Sequence, residues 1–439
     1  MSSADLTGSC DVLVIGGGPA GSTAASMLAA AGCRVVLLEK ERHPRFHIGE
    51  SLLPANLPLL EQLGVAAQVR EIGMQKWAAE FVSPWDGRRQ EFEFAGCWDK
   101  SMPFAYQVRR SQFDEILIRR AAELGAQVIE GCRVEDVECL ESTADSGPSP
   151  ATVHALGDDG VRRSWRADFV VDASGRDTLL GNRLRAKRRN EKHNSAAIYA
   201  HFTGARRHAG KREGNISIFW FDHGWFWFIP LADGTTSVGA VVWPAYLKTR
   251  KASLQEFFFA TIALCPPLAE LLATATLSSE VAATGNYSYS CTHTHGRNYL
   301  LVGDAYAFID PVFSSGVMLA MTSGAAAAEA LLACRREPRR AARAMRRFDR
   351  RVRLGPRHFS WFIYRVTNPT MRELFLAPRN PLRMQEALLS LLAGDIFGRT
   401  PIWSSLRAFK AVYYLVSLAN WRRTRAAARR RSENIMIGE

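Results

Sequence analysis

The run Asp11–Ile15 passes directly into Gly16-Gly17-Gly18-Pro19-Ala20-Gly21, and an alanine-rich stretch, Ser22–Ala31, follows. A short apolar run meeting three glycines reads as a buried strand and a tight turn, and the alanines after it read as a helix. Gly32 can end that helix, and Arg34–Leu38 resumes strand character just before Glu39. A strand, glycine turn, helix and second strand, closed by an acid about twenty residues after the first glycine, form the dinucleotide-binding fingerprint. Each glycine has its own task. Gly16 permits the turn, Gly18 lets the backbone approach a pyrophosphate, and Gly21 lets helix and strand pack closely. Unpaired N–H groups at the helix start then face the phosphates, and Glu39 is placed to accept from a ribose hydroxyl.

The chain has 439 residues, 47% of them hydrophobic, enough for a large core and two or three interleaved domains. Its eight cysteines are scattered, with no CxxC pair and no metal-like cluster, a usage that suits a reducing cytoplasm and predicts no metal site. The first residues have neither a basic segment nor an apolar one behind it, so no signal peptide is expected. No stretch of about 18 residues is apolar without interruption, so no membrane span is expected.

Two later segments repeat the pattern of an apolar strand ending in an acid among small residues. One is Phe169–Val171 with Asp172-Ala173-Ser174-Gly175-Arg176; the other is Tyr299–Val302 with Gly303-Asp304-Ala305. Partners that arrive so late in the chain suit FAD, whose ribityl and isoalloxazine ends lie far from its adenosine. Each aspartate alone is equally compatible with an ordinary strand-end cap.

These features predict an α/β fold in three parts. A discontinuous FAD-binding, Rossmann-like domain takes residues 1–80, 105–184 and 281–335. Residues 81–104 and 185–280, with alternating runs such as Ala196–Phe202 and Asn215–Phe221, form an antiparallel sheet beside the substrate. Residues 336–439 form a helical C-terminal domain. Ala144–Pro150 reads as a surface loop. The charge balance, 56 basic against 43 acidic residues, gives +13, and eleven arginines crowd Arg335–Arg357. Arg422, Arg423, Arg425 and Arg429–Arg431 follow near the end of the chain. The arginine surface is a solubilising face or a docking face for an acidic carrier protein, and the basic tail is compatible with an anionic membrane surface. No nucleic-acid-binding module is recognisable, so no nucleic acid is expected.

Three further features bear on chemistry. Trp225 and Trp227, in Gly224-Trp-Phe-Trp-Phe-Ile-Pro230, alternate on a strand and share one face, as core packing or as a partition beside a flavin. Phe308–Gly316, with Pro311, Ser314, Ser315 and Gly316, precedes a helix whose exposed N–H groups suit a compact anion or the flavin itself. Lys76 lies among Ile72, Met74, Trp77 and Ala78. In solvent it is a plain charge; desolvated, its pKa falls and it donates a hydrogen bond or acts as an amine nucleophile.

Together, the GGGPAG turn, Gly49-Glu-Ser-Leu-Leu-Pro54, Lys76, the WxWxIP box and the Phe308/Pro311/Ser314/Gly316 motif resemble the flavin-dependent halogenases of the FAD-dependent monooxygenase superfamily (para-hydroxybenzoate hydroxylase fold). The resemblance is closer to the phenol and pyrrole branch, often acting on carrier-tethered substrates, than to the tryptophan branch, which carries a glutamate where this chain has Phe313. It implies cofactor contacts from Arg45, Ser51, Arg109, Asp172, Gly303, Asp304, Pro311 and Gly316, and a chloride or bromide held near Ser315 and Gly316. It also implies that Trp225 and Trp227 keep substrate off the flavin, while hypohalous acid travels to Lys76 and there meets an electron-rich ring. No second nucleotide site is visible, so a separate flavin reductase is expected to supply reduced FAD. An aromatic hydroxylase and a geranylgeranyl-reductase-like flavoprotein are the rival readings on this scaffold, and a flavin-binding protein that only docks a carrier is a third.

Overall fold

The computed structural model describes residues 6–138, 150–190, 193–285, 288–398 and 400–436. All but Pro150 of the loop expected at Ala144–Pro150 lies outside them.

Strand Leu6–Ile15 pairs in parallel with Val35–Glu39 on one side and with Arg162–Asp172 on the other. Gln127–Glu130 and Tyr299–Leu301 extend the parallel part of the sheet. Ala151–Gly157 and Cys132–Glu138 add an antiparallel pair to the first half of Arg162–Asp172. The register sets Ile15 against both Leu38 and Asp172, so the carboxyl ends of three strands open at one edge. Ligands in open parallel sheets bind at such an edge. Helix Pro19–Ala30 begins with Gly18 in extended conformation and Pro19 in its first turn, where a missing N–H costs nothing. Gly32, at φ +82°, turns the chain away from it.

Helix Gly316–Arg336 packs beside Pro19–Ala30. By length and hydropathy it is apolar enough to cross a bilayer, but 78% of its most apolar window is buried within the fold. Glu329 interrupts the run, yet the most apolar 18-residue window still has a mean hydropathy of 1.6, because one acid is outweighed by its apolar neighbours.

The second sheet runs Thr276–Leu277, Ala196–Thr203, Thr236–Val242, Gly224–Pro230, Ile216–Phe221, Ala78–Val82, Arg89–Glu93, with Ala282–Thr284 also on Ala196–Thr203. It is antiparallel except at one joint, where Ile216–Phe221 meets Ala78–Val82 in parallel. No hairpin links those two strands, so no turn imposes the antiparallel direction expected for this sheet. Its faces are both covered. Phe226 and Phe228 pack with Phe257, Phe258 and Ile262 from helix Leu254–Ala263 on one side. Trp225, Trp227 and Ile229 pack on the other with Phe359, Met371, Leu388 and Phe409 from the C-terminal helices.

Those helices are Ala341–Ile363, Pro369–Leu376, Met384–Leu392, Trp403–Ala419 and Trp421–Met436. The first four share a single apolar cluster with the tryptophan face of the sheet. Phe313 is held in it, stacked on Phe375 at 6.2 Å between ring centroids and edge-on to Phe81.

Candidate active site

One large cavity, about 590 Å³, lies where the strand ends of the first sheet meet the tryptophan face of the second. Gly16 and Gly18, Glu39, the segment Arg45–Ser51, Ser174–Asp177, Trp225 and Trp227, and Asp304, Phe308, Pro311, Ser314 and Gly316 contribute to its wall.

The glycine turn is built as its spacing requires. Gly16 has φ +99°, and a Cβ there would stand 2.4 Å from the Ala173 carbonyl oxygen. A Cβ on Gly21 would stand 1.9 Å from the Gly16 carbonyl oxygen, whereas one on Gly18 would meet only Arg45 Nη2 at 3.7 Å. Gly16 and Gly21 hold the turn closed, and Gly18 turns an open backbone face to the cavity. The Gly17 N–H donates to Glu39 Oε2 at 2.6 Å and the Glu41 N–H to Oε1 at 2.9 Å, which fixes the carboxylate at the rim.

Arg45 reaches the cavity and donates to Asp114 Oδ2 at 3.1 Å. Arg109 does not reach it. Its guanidinium turns to Asp233 and donates to Thr235 Oγ1 at 2.7 Å. Arg110 lines the wall instead, gripping Asp114 with two bonds of 2.8 and 2.9 Å and the Ile48 carbonyl at 2.8 Å. Burial alone would raise the Asp114 pKa, but the charge and bonds of Arg110, with Arg45 behind it, bring it below its usual value. Helix phase decides between the arginines, because Arg110 and Asp114 sit one turn apart on the inner face of Arg110–Glu123 while Arg109 is the residue before it.

Asp172 also lies off the cavity. It is fully buried, and its oxygens accept from the Ser174 N–H at 2.9 Å and the Leu180 N–H at 2.8 Å. It is therefore the strand-end cap, and the wall is made by Ser174, Gly175 and Arg176 that it organises. Gly303, at φ +56°, likewise stands behind the wall, its N–H donating to Ser323 Oγ at 2.8 Å. Asp304 next to it faces the cavity, and burial pushes its carboxyl up to about 6.

Trp225 and Trp227 are neighbours on one face, with ring centroids 6.1 Å apart. They belong to the core cluster and also line the cavity wall. Trp227 Nε1 donates to Ser237 Oγ at 3.1 Å. Gly239 faces Trp227 across the strand pair, and a Cβ there would stand 2.1 Å from the indole ring.

Lys76 is 1% exposed. It ends the short strand Met74–Lys76 and donates to the Ser51 hydroxyl and the Leu52 carbonyl, each at 3.0 Å. Nζ stands 5.2 Å from the Phe94 ring centroid. Burial lowers its pKa to about 7. Ser51 lines the cavity while Lys76 stands behind it, so the amine meets the cavity through the serine.

Sequence reasoning missed Glu50 and His201. Glu50 Oε1 lies 2.7 Å from His201 Nε2, both side chains are at most 3% exposed, and Glu50 contributes to the wall. Glu50 Oε2 is buried without a hydrogen-bond partner. The signal was within Gly49–Pro54, where an acid and a serine stand directly before Leu52-Leu53-Pro54.

Pro311, Ser314 and Gly316 reach the wall. Ser314 takes φ +55°, and a Cβ on Gly316 would meet nothing within 4 Å, so the start of this 21-residue helix opens onto the cavity. Ser315 Oγ beside it is 1% exposed with no partner.

Residues 9–346 match the FAD binding domain family. A 1H-pyrrole-2-carbonyl-[peptidyl-carrier protein] chlorinase from Pseudomonas fluorescens is 31% identical over 88% of this chain and 89% of its own length. The solved myxobacterial chondrochloren halogenase superposes with a TM-score of 0.77 at 34% identity, covering 89% of this chain and 91% of that one. The chain belongs to the flavin-dependent halogenases. Flavin-dependent halogenase armH1 of Armillaria mellea is 37% identical over 74% of this chain, which spans 65% of that relative's length. An open glycine cradle, a buried acid at the cavity and a helix start facing it fit FAD at this halogenase's strand edge.

Proposed function

We propose that this halogenase transfers chlorine or bromine to an electron-rich aromatic ring, phenolic or pyrrolic, that is free or tethered to an acidic carrier protein. The observation that carries the reading is Lys76, a sealed amine joined to the cavity only by the Ser51 hydroxyl. A lysine serving solubility or charge pairing would reach water or a carboxylate. This one faces two neutral oxygens and an aromatic ring.

FAD, reduced by a separate flavin reductase, supplies the activation of oxygen by which a halide is oxidised to hypohalous acid. The chain's residues then divide the space. Gly16 and Gly18, with the turn closed at Gly21, would hold the pyrophosphate, Glu39 would accept from a ribose hydroxyl, and Arg45, Arg110 and Asp304 would border the rest of the cofactor. The helix start at Gly316, with the unpartnered Ser315 hydroxyl, suits the halide. Trp225 and Trp227 wall the cavity and exclude an organic substrate from it. Lys76, donating through Nζ, orients the oxidant or carries it as a haloamine for the ring to attack. Phe313 offers no carboxylate, which removes one activating group and suits a ring made electron-rich by its own hydroxyl or nitrogen.

The carrier-bound substrate of the Pseudomonas fluorescens relative supports the tethered form. Nine of the eleven arginines between Arg335 and Arg357 are exposed, which suits an acidic carrier. The seven described cysteines are all free and buried, as befits a cytoplasmic enzyme.

The test combines the purified protein with FAD, a flavin reductase, oxygen, chloride or bromide, and monochlorodimedone or a simple phenol. Mass spectrometry separates a gain of halogen from a gain of oxygen; oxygen alone returns the reading to a hydroxylase.

A further inference from the structure

Helix Trp403–Ala419 has apolar side chains on opposite faces. Leu406, Phe409 and Tyr413 are buried in the core. Tyr414, Leu415 and Leu418 face outward and are 52%, 67% and 72% exposed, and Trp421, at the start of the next helix, is 51% exposed. Leu415 and Leu418 follow Ala411 at helical spacing, and Ala411 is also exposed, so the outward residues make one continuous stripe. A surface helix normally keeps polar residues there, and one that is apolar on both sides is ordinarily covered on both. Four of the ten large apolar side chains exposed among the described residues fall within these eight positions, so chance scatter does not account for them. A fifth, Leu382, 73% exposed, stands on the turn Pro381–Arg383 that touches this helix.

The surrounding charge narrows what covers the stripe. Between Asp395 and Glu433 the sequence has nine basic residues and no acid. Arg407, Arg422, Arg423, Arg425, Arg429 and Arg430 are exposed. A second copy of the chain would bring the same cations against these. An acidic protein would satisfy the charge, but the exposed leucines would then need a fitted apolar surface on that partner. A fluid bilayer needs no fitted surface. Leucines enter its acyl boundary, Trp421 and Tyr414 sit at headgroup depth, and arginines reach the phosphates.

We propose that the outer face of Trp403–Ala419, with the basic start of Trp421–Met436, is a docking surface for an anionic lipid bilayer. Contact is peripheral and combines two terms, insertion of Leu415, Leu418 and Trp421 and attraction of Arg422, Arg423 and Arg425 to anionic headgroups. Each arginine near an anionic surface contributes roughly fivefold in affinity, a term that salt weakens. The proposal does not depend on the halogenation reading.

The experiment is co-sedimentation of the full-length protein with phosphatidylcholine–phosphatidylglycerol vesicles and with phosphatidylcholine vesicles, at low and at physiological salt. The expected result is binding to the anionic vesicles at least about tenfold tighter than to the neutral ones. Leu415→Glu/Leu418→Glu abolishes binding at both salt concentrations. Arg422→Gln/Arg423→Gln/Arg425→Gln keeps residual binding and loses the salt dependence. The substituted side chains are solvent-exposed, and unchanged FAD binding and melting temperature confirm that each variant is folded. Absence of wild-type binding to anionic vesicles overturns the proposal, as does equal binding by the leucine variant. A wild-type dimer that the leucine variant converts to a monomer, without vesicle binding, assigns the stripe to a second copy instead. Loss of carrier-tethered turnover in that variant, again without vesicle binding, assigns it to an acidic protein.

Discussion

Lys76 Nζ and the Ser51 hydroxyl stand 3.0 Å apart, and this contact joins a sealed amine to the wall of the main cavity. Lys76→Ala removes the donor without opening the cavity itself. Halogenated product should fall by at least about 100-fold, the scale of losing one preorganised donor. Flavin oxidation and peroxide release should continue. Mass spectrometry of product beside peroxide release makes the comparison, and normal halogenation by the variant would remove Lys76 from the mechanism.

Lys76 also has a pH signature. Its folded pKa is lowered from 10.5 to about 7 by burial, so between those values the unfolded chain binds the extra proton. Stability therefore rises with pH across about 7 to 10.5, by at most about 1.4 kcal/mol per pH unit for this one group, and is independent of it below 7. Lys76→Met should flatten that slope and raise the melting temperature at pH 7, checked by thermal unfolding from pH 6 to 10. In the native enzyme, the ratio of product to peroxide should bend near pH 7. A fall above the bend marks the ammonium as a hydrogen-bond donor, and a fall below it marks the neutral amine as the carrier.

The glycine turn and the tryptophan pair were legible because each depends on local geometry. A turn that closes over Gly16 and Gly21 leaves no room for Cβ atoms, and strand alternation alone puts Trp225 beside Trp227. Arg109 and Asp172 were misplaced for a different reason. Motif position says that an arginine or an acid is near the cofactor, but helix phase and loop closure decide which way it points. Glu50 and His201 lie 151 residues apart, and only the approach of the segment Gly49–Pro54 to the strand Ala196–Thr203 pairs them. The parallel joint between Ala78–Val82 and Ile216–Phe221 was hidden likewise, since no hairpin records its direction.

Arg110 and Arg109 are adjacent in sequence but should behave differently. Arg110→Ala removes a wall residue and frees Asp114, a buried carboxylate then left with Arg45. FAD affinity should fall at least about tenfold, with a lower melting temperature, since breaking a buried pair costs about 3–5 kcal/mol. Arg109→Ala breaks a partly exposed contact with Asp233 and Thr235, and FAD titration should register little change.

His201→Ala should destabilise the fold by about 1–3 kcal/mol, because it leaves Glu50 Oε1 as bare as Oε2 already is. Glu50→Gln in the same background should recover part of that loss, since an amide is less costly than a carboxylate to bury unpaired. Denaturant unfolding of the two variants and their double provides the measurement, and additive losses would show that the pair is not coupled.

Gly239 tests the tryptophan wall without touching either indole. Strand pairing sets it opposite Trp227, and the Cβ of an alanine there would fall 2.1 Å from the ring, well inside contact distance. The backbone is fixed by pairing on both sides of Thr236–Val242, so the indole has to move. Moving it breaks the 3.1 Å bond from Trp227 Nε1 to Ser237 Oγ and disturbs the packing on Trp225. Overpacking of this kind costs about 1–3 kcal/mol. If the wall keeps ring substrates away from the flavin, Gly239→Ala should shift product from halogenated toward oxygenated phenol at similar flavin consumption. Unchanged product composition in a variant whose tryptophan fluorescence shows that the indole has moved would mean that the wall is packing alone.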